Sequence, residues 1–324
     1  MHPPAVALMG ATASGKTALA LDLVERFPLD IVSVDSVMVY RGLDVGTAKP
    51  SPEELARAPH RLMDVADPSE VYSAARFRGD ALREMNAVTA SGRTPFLVGG
   101  TMLYFRALLR GIAPMPGADP KVRLRLNREA DAHGWQALHA RLAQVDPDAA
   151  ARIHPNDPQR IQRALEVFER TGKTMTRIHA ETTEPGIAYR VLKLAIEIPD
   201  RAQLHRRIET RLLRMLEEGL VQEVRGLRQR GDLNPDLPAM RAVGYRQVNE
   251  YLQGNGDYAS MVRKAVSATR QLAKRQLTWL RSEPDLVWIR NDPKGRERAA
   301  RLIQEHLDTP TDILPVPRSP DENR

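Results

Sequence analysis

Short apolar runs that close on a glycine or an aspartate alternate with segments of helical period along the first hundred residues. Ala5-Val6-Ala7-Leu8-Met9 is apolar throughout, the pattern of a strand buried on both faces. A glycine-rich turn follows from Gly10 to Gly15. Thr17 to Arg26 then places Leu19, Leu23 and Val24 on one side and predicts a helix. Asp30-Ile31-Val32-Ser33-Val34 predicts a second strand, ending at Asp35. Pro95-Phe96-Leu97-Val98 predicts a third, ending at Gly99-Gly100, and Val191 to Ile196 a fourth. Strands alternating with helices predict an α/β fold. The expected core is a P-loop NTPase-like parallel sheet with its site at the carboxyl ends of the strands.

Between about Asp119 and Lys173 the period is helical, with no strand signal. Asp157 suits an N-cap, Pro158 the first turn, and Gly172 the position after the last periodic residue. The helix Gln159 to Thr171 puts Ile161, Leu165 and Phe168 on one face. Because the strand pattern resumes at Val191, the middle is expected to be a helical insertion domain, 116–189. The α/β core then comprises 1–115 and 190–307, with a helical C-terminal part that is expected to be helical to about Leu307. The tail 308–324 has four prolines and many polar residues, and is expected to be disordered.

Composition narrows the class. Of 324 residues, 42% are hydrophobic and 27% charged, which fits a globular chain. No apolar run is long enough to span a bilayer, and the opening Met1-His2-Pro3-Pro4 lacks the build of a signal peptide, so a cytoplasmic protein without membrane contact is expected. With no cysteine, disulfides, thiolate nucleophiles and cysteine-ligated zinc are excluded. The net charge is +7 and uneven. Arg201 to Arg281 carries 16 basic and 8 acidic residues, a net +8, leaving −1 for the rest. Within it, Tyr258 to Ser282 holds Arg263, Lys264, Arg270, Lys274, Arg275 and Arg281 and no acid. Such a face fits a polyanion, nucleic acid first; a solvated helix surface is the alternative. Seven tyrosines and three tryptophans offer no clear dimer patch, and a monomer is expected.

The chemistry concentrates in two places. Gly10-Ala11-Thr12-Ala13-Ser14-Gly15-Lys16-Thr17 matches G-x-x-x-x-G-K-[ST] and lies between a strand and a helix, the context a phosphate-binding loop requires. Its backbone N–H groups and the following helix terminus would face phosphate oxygens. Lys16 would add a point charge and Thr17 a hydroxyl for a bridging Mg²⁺. Ser33-Val34-Asp35-Ser36 ends the next strand. Asp35 there is open to three chemical roles, metal ligand, base or hydrogen-bond acceptor, and to the bland one of capping a turn. A nucleotide hydrolase would also show an apolar strand ending in a metal-binding Asp. Here the corresponding strand ends in Gly99-Gly100-Thr101, which counts against that reading.

Together the motifs resemble one family, the tRNA dimethylallyltransferases (IPP transferases), over nearly the whole chain to about Leu307. The resemblance rests on G-A-T-A-S-G-K-T at 10–17, S-V-D-S at 33–36, Y-R-G-L-D-V-G-T-A-K-P at 40–50, V-G-G-T-M-L-Y at 98–104, N-D-P-Q-R-I-Q-R-A-L-E at 156–166 and A-V-G-Y-R-Q at 242–247. Two positions vary: the family usually has Pro at Ala11 and often Gly at Met102. Neither removes a charged group.

The resemblance implies transfer of a dimethylallyl group from its diphosphate to the exocyclic amine of the adenosine beside the anticodon of tRNA. It implies Asp35 as the base, Thr101 as a donor near the amine or diphosphate, and Arg123 as neutralising diphosphate. It implies Mg²⁺ on Thr17, and the tRNA anticodon stem-loop and dimethylallyl diphosphate as partners. It also implies tRNA contacts at Asp35, Ser36, Val37 and Met38; at Gln159, Arg160, Ile161, Gln162 and Arg163; at Met240, Arg241, Ala242, Val243, Gly244 and Tyr245; and at Ala273, Lys274, Arg275, Gln276, Leu277, Thr278, Trp279 and Leu280. From the residues alone, a solvated face is preferred for 159–163, and a core position for Trp279 and Leu280. A P-loop kinase acting on a small metabolite shares the loop and the Asp after the second strand. A non-catalytic RNA-binding protein is disfavoured by intact Lys16, Thr17 and Asp35.

Overall fold

The computed structural model describes residues 2–181 and 186–309, and its opening apolar run forms β1 (Pro4–Met9). After the glycine-rich turn come α1 (Lys16–Arg26), β2 (Leu29–Val34), α2 (Pro52–Arg57), β3 (His60–Arg61), α3 (Ala74–Ala90), β4 (Thr94–Gly99) and α4 (Met102–Arg110). The chain then enters five helices, α5 (Pro120–His133), α6 (Trp135–Val145), α7 (Pro147–Arg152), α8 (Pro158–Thr171) and α9 (Met175–Glu181). It returns through β5 (Arg190–Ile196), α10 (Arg201–Glu217), α11 (Leu220–Gln229), α12 (Tyr245–Leu252), α13 (Tyr258–Arg281), β6 (Leu286–Ile289) and α14 (Pro293–Asp308). Two units result. One runs to Leu108 and resumes at Ala188; the other is Leu109–Ile187.

In the first unit the described strands make one parallel sheet in the order β3-β2-β4-β1-β5-β6. The chain leaves β1 for β2 and comes back to β4 and β5 on either side of it, so the crevice of this sheet opens beside the end of β1. The register places Met9 and Val34 both opposite Gly99, so the loops after β1, β2 and β4 leave from one edge. Burial explains the apolar strands. Ala5 to Leu8 are fully buried, because α1 and α14 cover one face through Leu19, Leu23, Ala299 and Ile303, while α3 packs on β2 and β4. One expectation needs correcting. The stretch after 200 is not helical throughout, since Leu286-Val287-Trp288-Ile289 adds the edge strand β6 to β5. Four residues between two helices carry too short a pattern to signal a strand; pairing with β5 decides it.

The second unit is a helical cluster around Leu126, Leu138, Leu142, Ile161 and Leu165. Helix α8 starts as its sequence predicts. The Asp157 side chain accepts from Arg160 N at 3.2 Å, Pro158 occupies the first turn, and Gly172 ends the helix with φ 66°. Among the described residues no helix is long and apolar enough to cross a membrane. The tail expected to be disordered, 308–324, lies outside the described residues from 310 onward.

The sheet edge yields a stability prediction. A Cβ on Gly99 would stand 2.1 Å from the Val34 carbonyl oxygen of the paired strand, whereas one on Gly226, inside α11, meets nothing within 4 Å. Gly99→Ala should therefore cost about 1–3 kcal/mol through forced strand separation. Gly226→Ala should stabilise by about 0.5–1 kcal/mol through helix propensity. Urea denaturation of both variants measures the contrast.

Candidate active site

The loop after β1 holds its shape through two residues of positive φ and through side-chain partners for its carbonyls. Gly15 takes φ 91° and Ala13 φ 60°, and Ser14 N donates to Ala11 O at 3.3 Å. Lys16 folds back so that Nζ donates to the carbonyls of Gly10 at 2.8 Å and Ala11 at 2.9 Å. Asn291, from the loop after β6, donates through Nδ2 to the carbonyls of Ser14 at 3.2 Å and Gly15 at 3.5 Å. It approaches so closely that a Cβ on Gly15 would lie 2.2 Å from Nδ2. Gln276, on α13, accepts from Thr12 N at 2.9 Å.

Thr12, Ala13, Lys16 and Thr17 line a cavity of about 190 Å³, together with Asp35, Val37 and Met38 from the loop after β2. Its other walls include Gly99, Gly100, Arg211 and Gln276. Burial first and the nearby Arg211 guanidinium second lower the Lys16 pKa to about 8, with Asp35 opposing both. Arg211 is lowered too, by burial first, with Asp35 opposing and Arg214 adding to the depression. Its Nη2 donates to Thr47 O at 3.0 Å. Two desolvated cations facing one carboxylate leave a surplus of positive charge, which an anion of two or more charges would neutralise.

Asp35 performs the bland role and leaves room for the chemical one. Its Oδ1 accepts from Val37 N at 2.8 Å and Met38 N at 3.1 Å, closing a turn. The carboxylate lines the cavity, and no hydrogen bond to Oδ2 is seen among the described residues. Thr101 anchors the same turn. Its Oγ1 accepts from Ser36 N at 3.0 Å and donates to Ser36 Oγ at 3.2 Å, so its hydroxyl fastens the turn that holds Asp35. Among the described residues no cluster of three or more His, Cys, Asp or Glu could hold a metal. Thr17 and Asp35 both line the cavity, and the Thr17 hydroxyl is a hard oxygen that would suit a divalent ion.

The Tyr40–Pro50 motif owes its residues to docking. Lys49 Nζ donates to Tyr40 O at 2.8 Å and to Asp44 and Asp64. Glu223 on α11 accepts from the N–H groups of Asp44, Val45 and Gly46 at 2.9, 2.8 and 3.2 Å and from the Tyr245 hydroxyl. Burial and that carboxylate push the Tyr245 phenol upward.

In the helical unit Arg123 forks onto Glu166, Nε to Oε1 at 2.9 Å and Nη2 to Oε2 at 3.1 Å. Glu166 is fully buried and also accepts from Asp119 N at 2.7 Å and Arg163 Nη1 at 2.8 Å. Burial alone would raise its pKa; Arg123, the Asp119 N–H and Arg163 outweigh it and hold the carboxyl below its ordinary range.

The segments expected to meet tRNA divide by burial. The side chains of Ile161, Met240, Tyr245, Ala273, Leu277 and Leu280 are in the interior. Gln162 donates to Asn127 and Arg163 to Pro116 O, within the unit. Gln159, Arg160, Arg241, Lys274, Arg275 and Thr278 are exposed. Trp279, for which a core position was preferred, is 37% exposed with the Arg106 guanidinium 5.8 Å from its ring centre. Val243 and Gly244 line the cavity. Of the basic run, Arg270 is paired with Glu209 at 3.1 Å, and Arg263 and Lys264 are exposed. Sequence reasoning missed Arg211, Glu166 and Glu223. Only the helical period that turns Leu204, Ile208 and Leu212 inward marks the helix of Arg211, and it singles out no arginine.

Residues 38–283 match the family model described as IPP transferase. The chain is 56% identical over 308 residues to the tRNA dimethylallyltransferase of Thioalkalivibrio sulfidiphilus, covering 95% of this chain and 96% of that one. Among solved structures it is similar to the full-length tRNA isopentenylpyrophosphate transferase of Bacillus halodurans. There the TM-score is 0.69 at 36% identity, covering 94% of this chain and 96% of the other. The Staphylococcus epidermidis tRNA delta(2)-isopentenylpyrophosphate transferase gives 0.66 at 32%, covering 94% and 98%. A eukaryotic dimethylallyltransferase acting on tRNA shares the fold, with a TM-score of 0.75 at 24% identity over 94% of this chain and 79% of that one.

The depressed Lys16 predicts a pH profile for anion binding. Only the ammonium attracts the anion, so affinity for sulfate, which stays doubly charged throughout, should be level well below the pKa and fall as the pH rises through about 8. Arg211→Gln removes the neighbouring cation that lowers Lys16. The decline should then move to higher pH, while affinity in the level region drops. Calorimetric titration across pH measures both shifts.

Proposed function

The chain belongs to the IPP transferase family, and we propose that it transfers a dimethylallyl group from dimethylallyl diphosphate to the exocyclic amine of the adenosine 3′-adjacent to the anticodon of tRNA. The products are N6-dimethylallyladenosine and diphosphate. The observation that carries this reading is the cavity that Lys16, Thr17, Arg211 and Asp35 line together, with cationic groups for a diphosphate and a carboxylate for an acceptor.

The adenine amine is a weak nucleophile because its lone pair is delocalised into the ring. As nitrogen bonds to the allylic carbon, the carbon–oxygen bond to diphosphate breaks and the bonding pair leaves with the oxygen. Charge grows on the diphosphate, where Lys16, Arg211 and the loop N–H groups stabilise it. Asp35 Oδ2 takes the amine proton, while Oδ1 stays bound to Val37 N and Met38 N and keeps the carboxylate aimed. Mg²⁺, held by Thr17 and the diphosphate itself, would add charge neutralisation at the leaving group. The reading extends to Arg123 a share in that neutralisation, on the resemblance alone.

The acceptor adenine must leave its stack to reach a carboxylate at the end of a sheet, so a flipped base is part of the reading. The exposed cations of α13 would take backbone phosphates of the anticodon stem-loop and set its register. A monomer acting in the cytoplasm completes the proposal. Incubation with labelled dimethylallyl diphosphate or labelled ATP, each with and without bulk tRNA, tests it. Label should enter RNA only from the prenyl donor; label from ATP in a small product would establish the kinase reading instead.

Two variants probe the parts. Asp35→Asn keeps an acceptor for the turn but cannot take a proton. Single-turnover transfer should fall by roughly 10² to 10⁴ with donor and RNA binding little changed. Weakened donor binding that Mg²⁺ restores would make Asp35 a metal ligand. Replacing Arg263, Lys264 and Lys274 by Gln should weaken tRNA binding and lower the log–log salt slope by about 0.7–0.9 for each RNA phosphate no longer neutralised. Arg270→Gln should add less, because Glu209 already neutralises it. An unchanged slope would return this run to a solvated face.

A further inference from the structure

Gln276 joins α13 to two walls of the cavity at once. Its Oε1 accepts from Thr12 N in the phosphate loop at 2.9 Å, and its Nε2 donates to Gly100 O, after β4, at 2.8 Å. Gly100 makes room for it, since a Cβ there would lie 2.7 Å from Nε2. The flanking positions differ in kind. Ala273, Leu277 and Leu280 are buried in the core, while Lys274 and Arg275 are exposed. One stretch of helix thus carries an apolar edge in the core, a cationic edge in solvent and an amide fastened to the phosphate loop.

We propose that Gln276 couples RNA seating on α13 to diphosphate binding in the cavity, as a positioning residue that holds the loop and does not touch the reacting atoms. This rests on the reading of α13 as the RNA-facing helix. The amide keeps both hydrogen bonds only while its turn of α13 stays in register with the loop. RNA phosphates on Lys274 and Arg275 would immobilise that turn. Less conformational entropy then remains to be lost when a diphosphate orders the loop, so RNA favours the donor and, by linkage, the donor favours RNA equally. Asn291 braces the same loop through the carbonyls of Ser14 and Gly15, and among the described residues no hydrogen bond joins it to α13. Its removal loosens the loop while leaving the coupling in place.

The test is calorimetric titration of inorganic pyrophosphate with Mg²⁺ into the full chain, with and without an anticodon stem-loop RNA. In the wild type RNA should tighten pyrophosphate at least about fivefold, the low end of measured couplings. In Gln276→Ala and in Gln276→Met, which keeps length and helix propensity if the smaller residue unfolds the protein, the ratio should fall below about twofold. Asn291→Ala should weaken pyrophosphate in both arms and keep the wild-type ratio. A full ratio in the Gln276 variants, a ratio of one in a wild type that binds RNA, or a collapsed ratio in Asn291→Ala would overturn the coupling. A wild type that binds no RNA would overturn the functional reading, and this inference with it.

Discussion

The structure turns on one requirement: the loop after β1 must point N–H groups into a cavity without leaving its other backbone groups unpaired in a partly buried place. Its carbonyls go to Lys16 and to Asn291, and one of its amides goes to Gln276. None of these partners except Lys16 is near the loop in sequence. The edge strand β6 matters because it delivers Asn291, and α13 because it delivers Gln276. Much of the carboxyl-terminal half is therefore explained by the need to complete a short turn near the amino terminus.

A second constraint is electrostatic. In the cavity, Lys16 and Arg211 are desolvated together with Asp35 as the opposing charge, an arrangement that is costly alone and relieved by a bound anion. In the helical unit the signs are reversed, with one buried carboxylate, Glu166, satisfied by Arg123, Arg163 and a backbone N–H. There the carboxylate is fully paired, while the Arg123 side chain keeps 41% of its surface exposed.

Much of this was legible in the chain. The phosphate loop, the turn at Asp35, the four longest strands and the cap of α8 follow from local rules. Apolar runs report burial on both faces, glycine and proline report backbone conformation, and Asp before Pro reports a helix start. The basic character of α13 was equally plain, though Glu209 from α10 neutralises part of it.

Long-range placement was not legible. Ile161, Tyr245 and Leu277 sit in segments that look functional, yet their side chains are in the core, because a helix presents one face to solvent and hides the other. Arg211 is one of many arginines until Thr47 and Lys16 are brought to it. Thr101 meets Ser36 only once β2 and β4 have paired. The sequence by itself determined which backbone could cradle a phosphate and where its strands end, since those are properties of neighbouring residues. Only the tertiary structure decided which side chains share the cavity, because partners as distant along the chain as Thr12 and Gln276 meet only when the sheet and α13 pack.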